Sequence, residues 1–421
     1  MSGEARHGVD SGDSGDDRNS RSGRTDSRPE RVSGENSAPV ILSNNPGSFS
    51  HSVLAERHPA LIRQIREAFP FTPHQQQALD ALLEEITGGD IQPLDTSAHD
   101  HETWSVLGRE HFGRSWFDVP FLWAESFFYR RLLAAIGYFD PRPWHGVDPF
   151  APFKQAELHS STVDEELGAL DELASRPADE QAEALLHASL WGNRADLGFR
   201  ISAGDTTDSD TTAKLVADDS AVMWSLLTTG APATVSVVAD NAGRELVPDL
   251  ILIDHLISQG HASDVVLHIK PYPYYVSDAT MADVLDCMRR LVRAPGRAGE
   301  IGKRLWAAME AGRLDVRAHP FFCAPLPYKE MPEDLREVFG ACALTIMKGD
   351  LNYRRLVGDQ LWAPTTPFAD PTAYFPGPVV ALRTLKCDVI VGLSERMLNE
   401  LEATGREWRT SGTHALIQAR R

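Results

Sequence analysis

Apolar and polar positions divide this chain into three textures. Residues 1 to 47 have no hydrophobic period and no aromatic residue; Gly, Ser, Asp and Arg dominate, with both charge signs mixed. Such a stretch cannot bury enough apolar surface to offset its ordering entropy, which predicts a disordered tail. From about 50 to 190 the period is helical. Ala78, Leu79, Leu82, Leu83 and Ile86 share a face, with Thr72 as the cap before Pro73 and Gly88 as the stop. The run Phe121 to Leu133 is apolar nearly all round and predicts a buried helix in which Glu125, Tyr129 and Arg130 stand out as polar. A further helix is expected over 163–190, polar on one side.

After about 215 short β-branched runs alternate with helical stretches. Strands are expected at 234–238, 264–269, 315–318, 343–347 and 379–382, with helices around 244–258, 279–293, 297–311 and 332–340. That alternation implies an α/β fold, a mostly parallel sheet with helices on both faces.

Composition narrows the partners more than the fold. The net charge of −19 opposes binding to a nucleic-acid backbone, which needs a basic surface. A small anion remains possible, because a metal and a few local cations reverse the sign inside one pocket. No run approaches the about 18 apolar residues of a membrane span, and the amino terminus has no secretory pattern, so a cytoplasmic location is expected. Cys287, Cys323, Cys342 and Cys387 form no C-x-x-C pair and sit in apolar surroundings, as buried thiols do.

In open parallel sheets, ligands bind outside the carboxyl ends of the strands. The segments expected there are Asp240-Asn241-Ala242-Gly243-Arg244-Glu245, Ser277-Asp278, Lys348-Gly349-Asp350-Leu351-Asn352-Tyr353-Arg354 and Arg383-Thr384-Leu385-Lys386. Asp240, Asn241 and Asp278 are hard oxygen donors suited to Mg²⁺ or Mn²⁺. Lys386, Arg354 and Asn352 are of the types that bind phosphate oxygens, and Asp350 would hold hydroxyls or assist proton transfer to a leaving oxygen. Taken singly, each has an ordinary reading: Asp-Asn and Ser-Asp as helix caps, Lys-Gly-Asp as a turn, Arg383 and Lys386 as a solvated edge, Glu125 with Arg130 as a structural ion pair. What caps do not require is that all four segments fall at one end of one sheet. No G-x-G-x-x-G, G-x-S-x-G or P-loop pattern follows a strand.

Arg383-Thr384-Leu385-Lys386 fits an Arg-Thr-x-Lys signature. With Asp240-Asn241-x-Gly243-x-Glu245, Lys348 to Arg354, Leu190-Trp191-Gly192-Asn193-Arg194-Ala195-Asp196-Leu197 and Glu125-x-x-x-Tyr129-Arg130, it makes the chain resemble the third subfamily of the damage-control phosphatases, over roughly residues 50 to 410. The resemblance implies a helical domain over 48–200 and a Rossmann-like α/β/α sandwich over 201–421. It implies a divalent metal (Mn²⁺, Co²⁺, Ni²⁺ or Mg²⁺) on Asp240, Asn241 and Asp278. Substrate contacts would come from Asp240, Asn241, Glu245, the Asp350, Asn352, Tyr353 and Arg354 segment, and Lys386, with Asp240, Asp350 and Lys386 catalytic. The substrates it implies are small phosphorylated metabolites such as fructose 1-phosphate and fructose 6-phosphate. One member of the family is also described as an acidic-residue methyltransferase, which would put S-adenosylmethionine near Glu245 and Asp278, although the glycine-rich loop usual for that cofactor is missing here. A non-catalytic sugar-phosphate sensor is the remaining alternative, and oligomeric state stays open.

Overall fold

The computed structural model describes residues 38–192 and 214–421; the chain before Ala38, and residues Asn193 to Leu197 of the segment beginning at Leu190, lie outside the described residues. The last part of the expected tail is built into the fold. Val40 bridges to Gln360, Leu42 bridges to Pro120, and Ile41 is buried between them. Three consecutive apolar residues give this stretch something to bury, which the residues before it lack.

Seven strands among the described residues form one sheet: β1 (Lys214–Asp218), β2 (Ala233–Val238), β3 (Ala262–Ile269), β4 (Leu314–Ala318), β5 (Leu344–Lys348), β6 (Val379–Thr384) and β7 (His414–Arg420). Their order is β1-β7-β6-β5-β2-β3-β4. The five from β6 to β4 are mutually parallel; β7 runs antiparallel to β6, and β1 follows β7 in parallel. The fold is thus α/β with a mostly parallel sheet. The sequence pattern missed β1 and β7, whose short runs carry few β-branched residues.

Side chains alternate between the two faces with the strand period of two. Val235, Val237, Ile346, Val380, Leu382 and Ile417 enter one core, with helices Ser161–Leu173, Ala178–Trp191, Leu246–Ser258, Met281–Arg293 and Gly296–Glu310. Val238, Met347, Val379, Ala381 and Leu416 enter the other, with the helices from His58 to Ala135 and with Glu333–Ala341 and Gly349–Val357. The helical stretch before the sheet is therefore shared between both faces rather than confined to one body. The helix expected over 163–190 is two, broken just before Pro177, which occupies the cap of the second. By contrast Pro73–Gly88 begins and ends where its sequence signals say, and Thr72 and Gln75 form a capping box.

The chain runs from β2 outward to β3 and β4, then returns on the other side of β2 as β5. Such a switch point leaves a crevice between the carboxyl ends of β2 and β5. Here it lies between Ala239-Asp240 and Lys348-Gly349-Asp350.

Candidate active site

Asp240 and Asn241 leave the end of β2 and meet the loop that follows β3. Asn241 and Asp278 pair in an isolated antiparallel bridge. Ala242 N–H donates to the Ser277 carbonyl at 2.6 Å, and Ala279 N–H to the Asp240 carbonyl at 2.9 Å. The three expected metal donors are therefore brought together by backbone pairing, and none is a helix cap. Thr280 caps the helix after Asp278, and the helix after Asn241 starts at Leu246 with no side-chain cap. From behind, Lys154 fixes the loop, its ammonium bonding the Asp278 carbonyl at 2.9 Å and the carboxylates of Asp148 and Asp283.

Asp240 and Asp278 are almost fully buried. Burial, then the carboxylates of Glu245 and Asp278, push Asp240 well above the usual carboxylate range, against Lys386 and Lys270. Gly349 permits this crowding: its φ is +82°, and a Cβ there would lie 1.8 Å from Asp240 Oδ2. Asn241 donates to Glu245 at 3.0 Å, and its oxygen accepts from Ser277 Oγ at 2.9 Å.

Lys386 follows β6 and reaches Glu245 Oε1 at 3.2 Å. Glu245 is the main reason its ammonium is held above the ordinary lysine range. Burial alone would raise Glu245, but Lys386 and the Asn241 amide outweigh it and hold it low. Glu245 thus stands behind Asn241 and Lys386 and fixes both. Asp350, in the first turn of Gly349–Val357, accepts from Arg383 Nε at 2.8 Å and from Lys386 N–H at 3.1 Å. Burial would raise Asp350 as well, yet Arg383, with Arg354 behind it, holds it below its usual range. Arg383 is fully buried and also donates to the carbonyls of Cys387 and Val389. It orients Asp350 and does not face the cleft.

Two substrate-binding expectations need correction. Asn352 is fully buried, and its amide donates to the carbonyls of Ala239 at 3.0 Å and Lys348 at 2.8 Å, while its oxygen accepts from Tyr328. It staples the ends of β2 and β5 together at the switch point. Tyr353 is equally buried, donating to Gln418 and accepting from the N–H of Val391. One helical turn spreads side chains around the whole axis, so a contiguous segment cannot face one ligand. Asp350, Leu351 and Arg354 line the cleft. Glu125 pairs with Arg354 at 2.9 Å and not with Arg130, which takes Asp100 in a two-point bond. Arg354 is held on its other side by Asp359, a non-glycine residue at φ +49°.

These groups meet in a cleft of about 450 Å³ that also receives Arg57, His58, Tyr129 and Tyr275. Its lining carries the carboxylates of Glu125, Asp240, Asp278 and Asp350 against the cations Arg57, Arg354 and Lys386. A phosphate dianion entering such an acidic cleft needs added positive charge. Among the described residues no three His, Cys, Asp or Glu side chains form a metal-holding group. The donor set is instead two carboxylates and the Asn241 carboxamide, an all-oxygen set that fits a hard divalent cation keeping several waters. Lys270, directly after β3, escaped the sequence reading although its position qualified it. It is buried, its ammonium lies over the rings of Tyr274 and Phe322 with no hydrogen-bond partner among the described residues, and its charge acts on Asp240.

Residues 53–401 match the damage-control phosphatase ARMT1-like domain. The chain belongs to that family. Curated relatives agree along nearly their whole length. The damage-control phosphatase ARMT1 of Danio rerio is 29% identical, with 88% of this chain and 94% of the relative covered. The Mus musculus protein of the same name is 29% identical, with 90% and 98% covered. A solved DUF89 family protein from Pyrococcus horikoshii shares 15% identity at a TM-score of 0.47, with 84% of this chain and 93% of that one covered. Every residue lining the cleft except Phe49 lies within the matched domain. The four cysteines are free and buried, and among the described residues no helix is long and apolar enough to cross a membrane.

Proposed function

We propose that this damage-control phosphatase hydrolyses phosphomonoesters of small metabolites with a divalent metal, Mn²⁺, Co²⁺, Ni²⁺ or Mg²⁺, and that sugar phosphates such as fructose 1-phosphate and fructose 6-phosphate are its substrates. The observation that carries the reading is the Asn241–Asp278 bridge, which sets Asp240, Asn241 and Asp278 in one cleft with Lys386 and Asp350.

Asp240, Asp278 and the Asn241 oxygen would hold the metal, which supplies charge to the phosphoryl oxygens and a more acidic bound water. Lys386, kept cationic by Glu245, faces the same oxygens and stabilises the charge that builds as the bond breaks. Asp350, kept ionised by Arg383, accepts hydrogen bonds from substrate hydroxyls. A carboxylate held below its usual range is a poor proton donor, so Asp350 positions the leaving group rather than protonating it. Tyr275 donates to Glu125 at 3.2 Å, which closes the far wall with polar groups suited to a polyol.

Phosphate release from a panel of sugar phosphates and an aryl phosphate tests the reading. Metal-stripped protein should release none, and Mn²⁺ or a related ion should restore turnover. Turnover that survives complete metal removal defeats the metal assignment; silence with every metal and ester defeats the phosphatase.

A further inference from the structure

Among the described residues, one cation of the cleft has no acid to answer it. Lys386 is taken by Glu245, and Arg354 by Glu125 and Asp359. Arg57 is exposed in the helical wall and, among the described residues, makes no hydrogen bond or ion pair, although Asp240, Asp278 and Asp350 line the same cleft. Its guanidinium is nevertheless placed. It lies 4.9 Å from the ring centroid of Phe49, Phe49 meets Phe121 edge to face at 6.4 Å, and Phe121 carries Arg354 at 4.6 Å. An aromatic ladder therefore joins the free arginine to the paired one. Arg57 also closes the π-helical turn Val53–Arg57, a widened turn of the kind that persists at functional sites because it re-aims side chains. Stacking leaves the planar fork free for two parallel bonds to an anion, the geometry arginine offers to phosphate.

We propose that Arg57 is a phosphate-binding residue, the second arm of a clamp whose first arm is Lys386, gripping the substrate's phosphoryl oxygens from the helical wall while Lys386 holds them from the sheet edge. The proposal rests on the phosphatase reading and assigns a specific anion contact to a side chain outside the sheet. Arg57 also lines an adjoining polar cavity of about 500 Å³, so the competing role is recognition of a second anionic group lodged there.

The test compares Arg57→Met, which keeps the stem and removes the fork, with Arg57→Lys and Phe49→Leu in the full chain. Calorimetry measures inorganic phosphate binding in Mn²⁺ and Mn²⁺ binding alone; steady-state assays measure KM and kcat. Arg57→Met should weaken phosphate binding and raise KM tenfold or more, with Mn²⁺ affinity and Tm unchanged. Arg57→Lys should recover part of the loss, and Phe49→Leu should raise KM a few-fold. Values for Arg57→Met within twofold of wild type overturn the clamp. So does a loss confined to bis-anionic esters, with aryl phosphate and inorganic phosphate unaffected. A wild type that binds phosphate but releases none sinks the phosphatase while the binding data still judge Arg57; one that neither binds nor releases it sinks both.

Discussion

The two walls of the cleft are built on different physical principles. On the sheet wall the charged groups that line the cleft are fastened in place: Asp240 and Asp278 through paired backbone, Lys386 through Glu245, Asp350 through Arg383. On the helical wall the material is aromatic. His58 stacks on Phe128 at 3.7 Å with neither ring nitrogen hydrogen-bonded among the described residues, Tyr129 stacks on Tyr275 at 4.7 Å, and Arg57 rests on Phe49. The contrast teaches that chemistry needing fixed charges is assigned to strand ends, where the ladder sets positions to a fraction of an ångström. Grip is assigned to packed rings on a widened helical turn. Lesions in the sheet wall should abolish turnover or folding; lesions in the helical wall should change affinity or pH response.

The largest expected effect is Asp240→Ala. Losing a metal donor at the centre of the cluster should cut metal-dependent phosphate release at least about a thousandfold, or about 4 kcal/mol of barrier. Retained turnover would end the division of labour between the walls. Next comes Arg383→Met, which strands the partly buried Asp350 carboxylate, removes the fully buried guanidinium's bonds to Cys387 and Val389, and should cost about 3 kcal/mol in denaturant unfolding. Adding Asp350→Leu should return much of that stability but none of the activity. If the single variant is as stable as wild type, Arg383 does not hold Asp350.

Gly349→Ala should rank third. A methyl group there collides with Asp240, and the positive φ adds about 1 kcal/mol of strain, so phosphate release should fall roughly a hundredfold while the protein still folds. Normal kinetics would show that Asp240 has room to move.

The smallest effect belongs to the helical wall. Burial first, and Arg57 second, depress His58 from 6.5 to about 3. Above pH 6.5 the ring is neutral in both states; below it the unfolded chain takes up a proton that the folded one refuses. His58 therefore lowers stability as pH falls, by about 2 kcal/mol at pH 5 relative to pH 7. His58→Phe keeps the stack and should remove that part of the loss, read from urea midpoints at the two pH values. An undiminished acid loss would place the sensitivity elsewhere.

Much of this arrangement was legible in the chain. The β-branched runs located β2 to β6, and strand-end logic pointed to Asp240, Asn241, Asp278, Asp350 and Lys386, which line one cleft. The antiparallel β7 was not legible, because its pairing with β6 is a long-range choice that the run from His414 to Arg420 does not encode locally. Asn352 and Tyr353 were misread for a different reason: a motif gives neighbours in sequence, whereas a helix turns each by about 100°. Arg57 carried no signal, since nothing in a helical stretch tells a waiting cation from a solvated one.

The staple at Asn352 has a consequence for the life history of the molecule. It ties Ala239 to a residue 113 positions later, so the crevice exists only after the chain has laid down β3 and β4 and come back. A polypeptide still emerging from synthesis can form the Asn241–Asp278 bridge yet has no floor beneath it. A complete cleft in this family member is therefore a late event of chain folding, arriving only with completed topology.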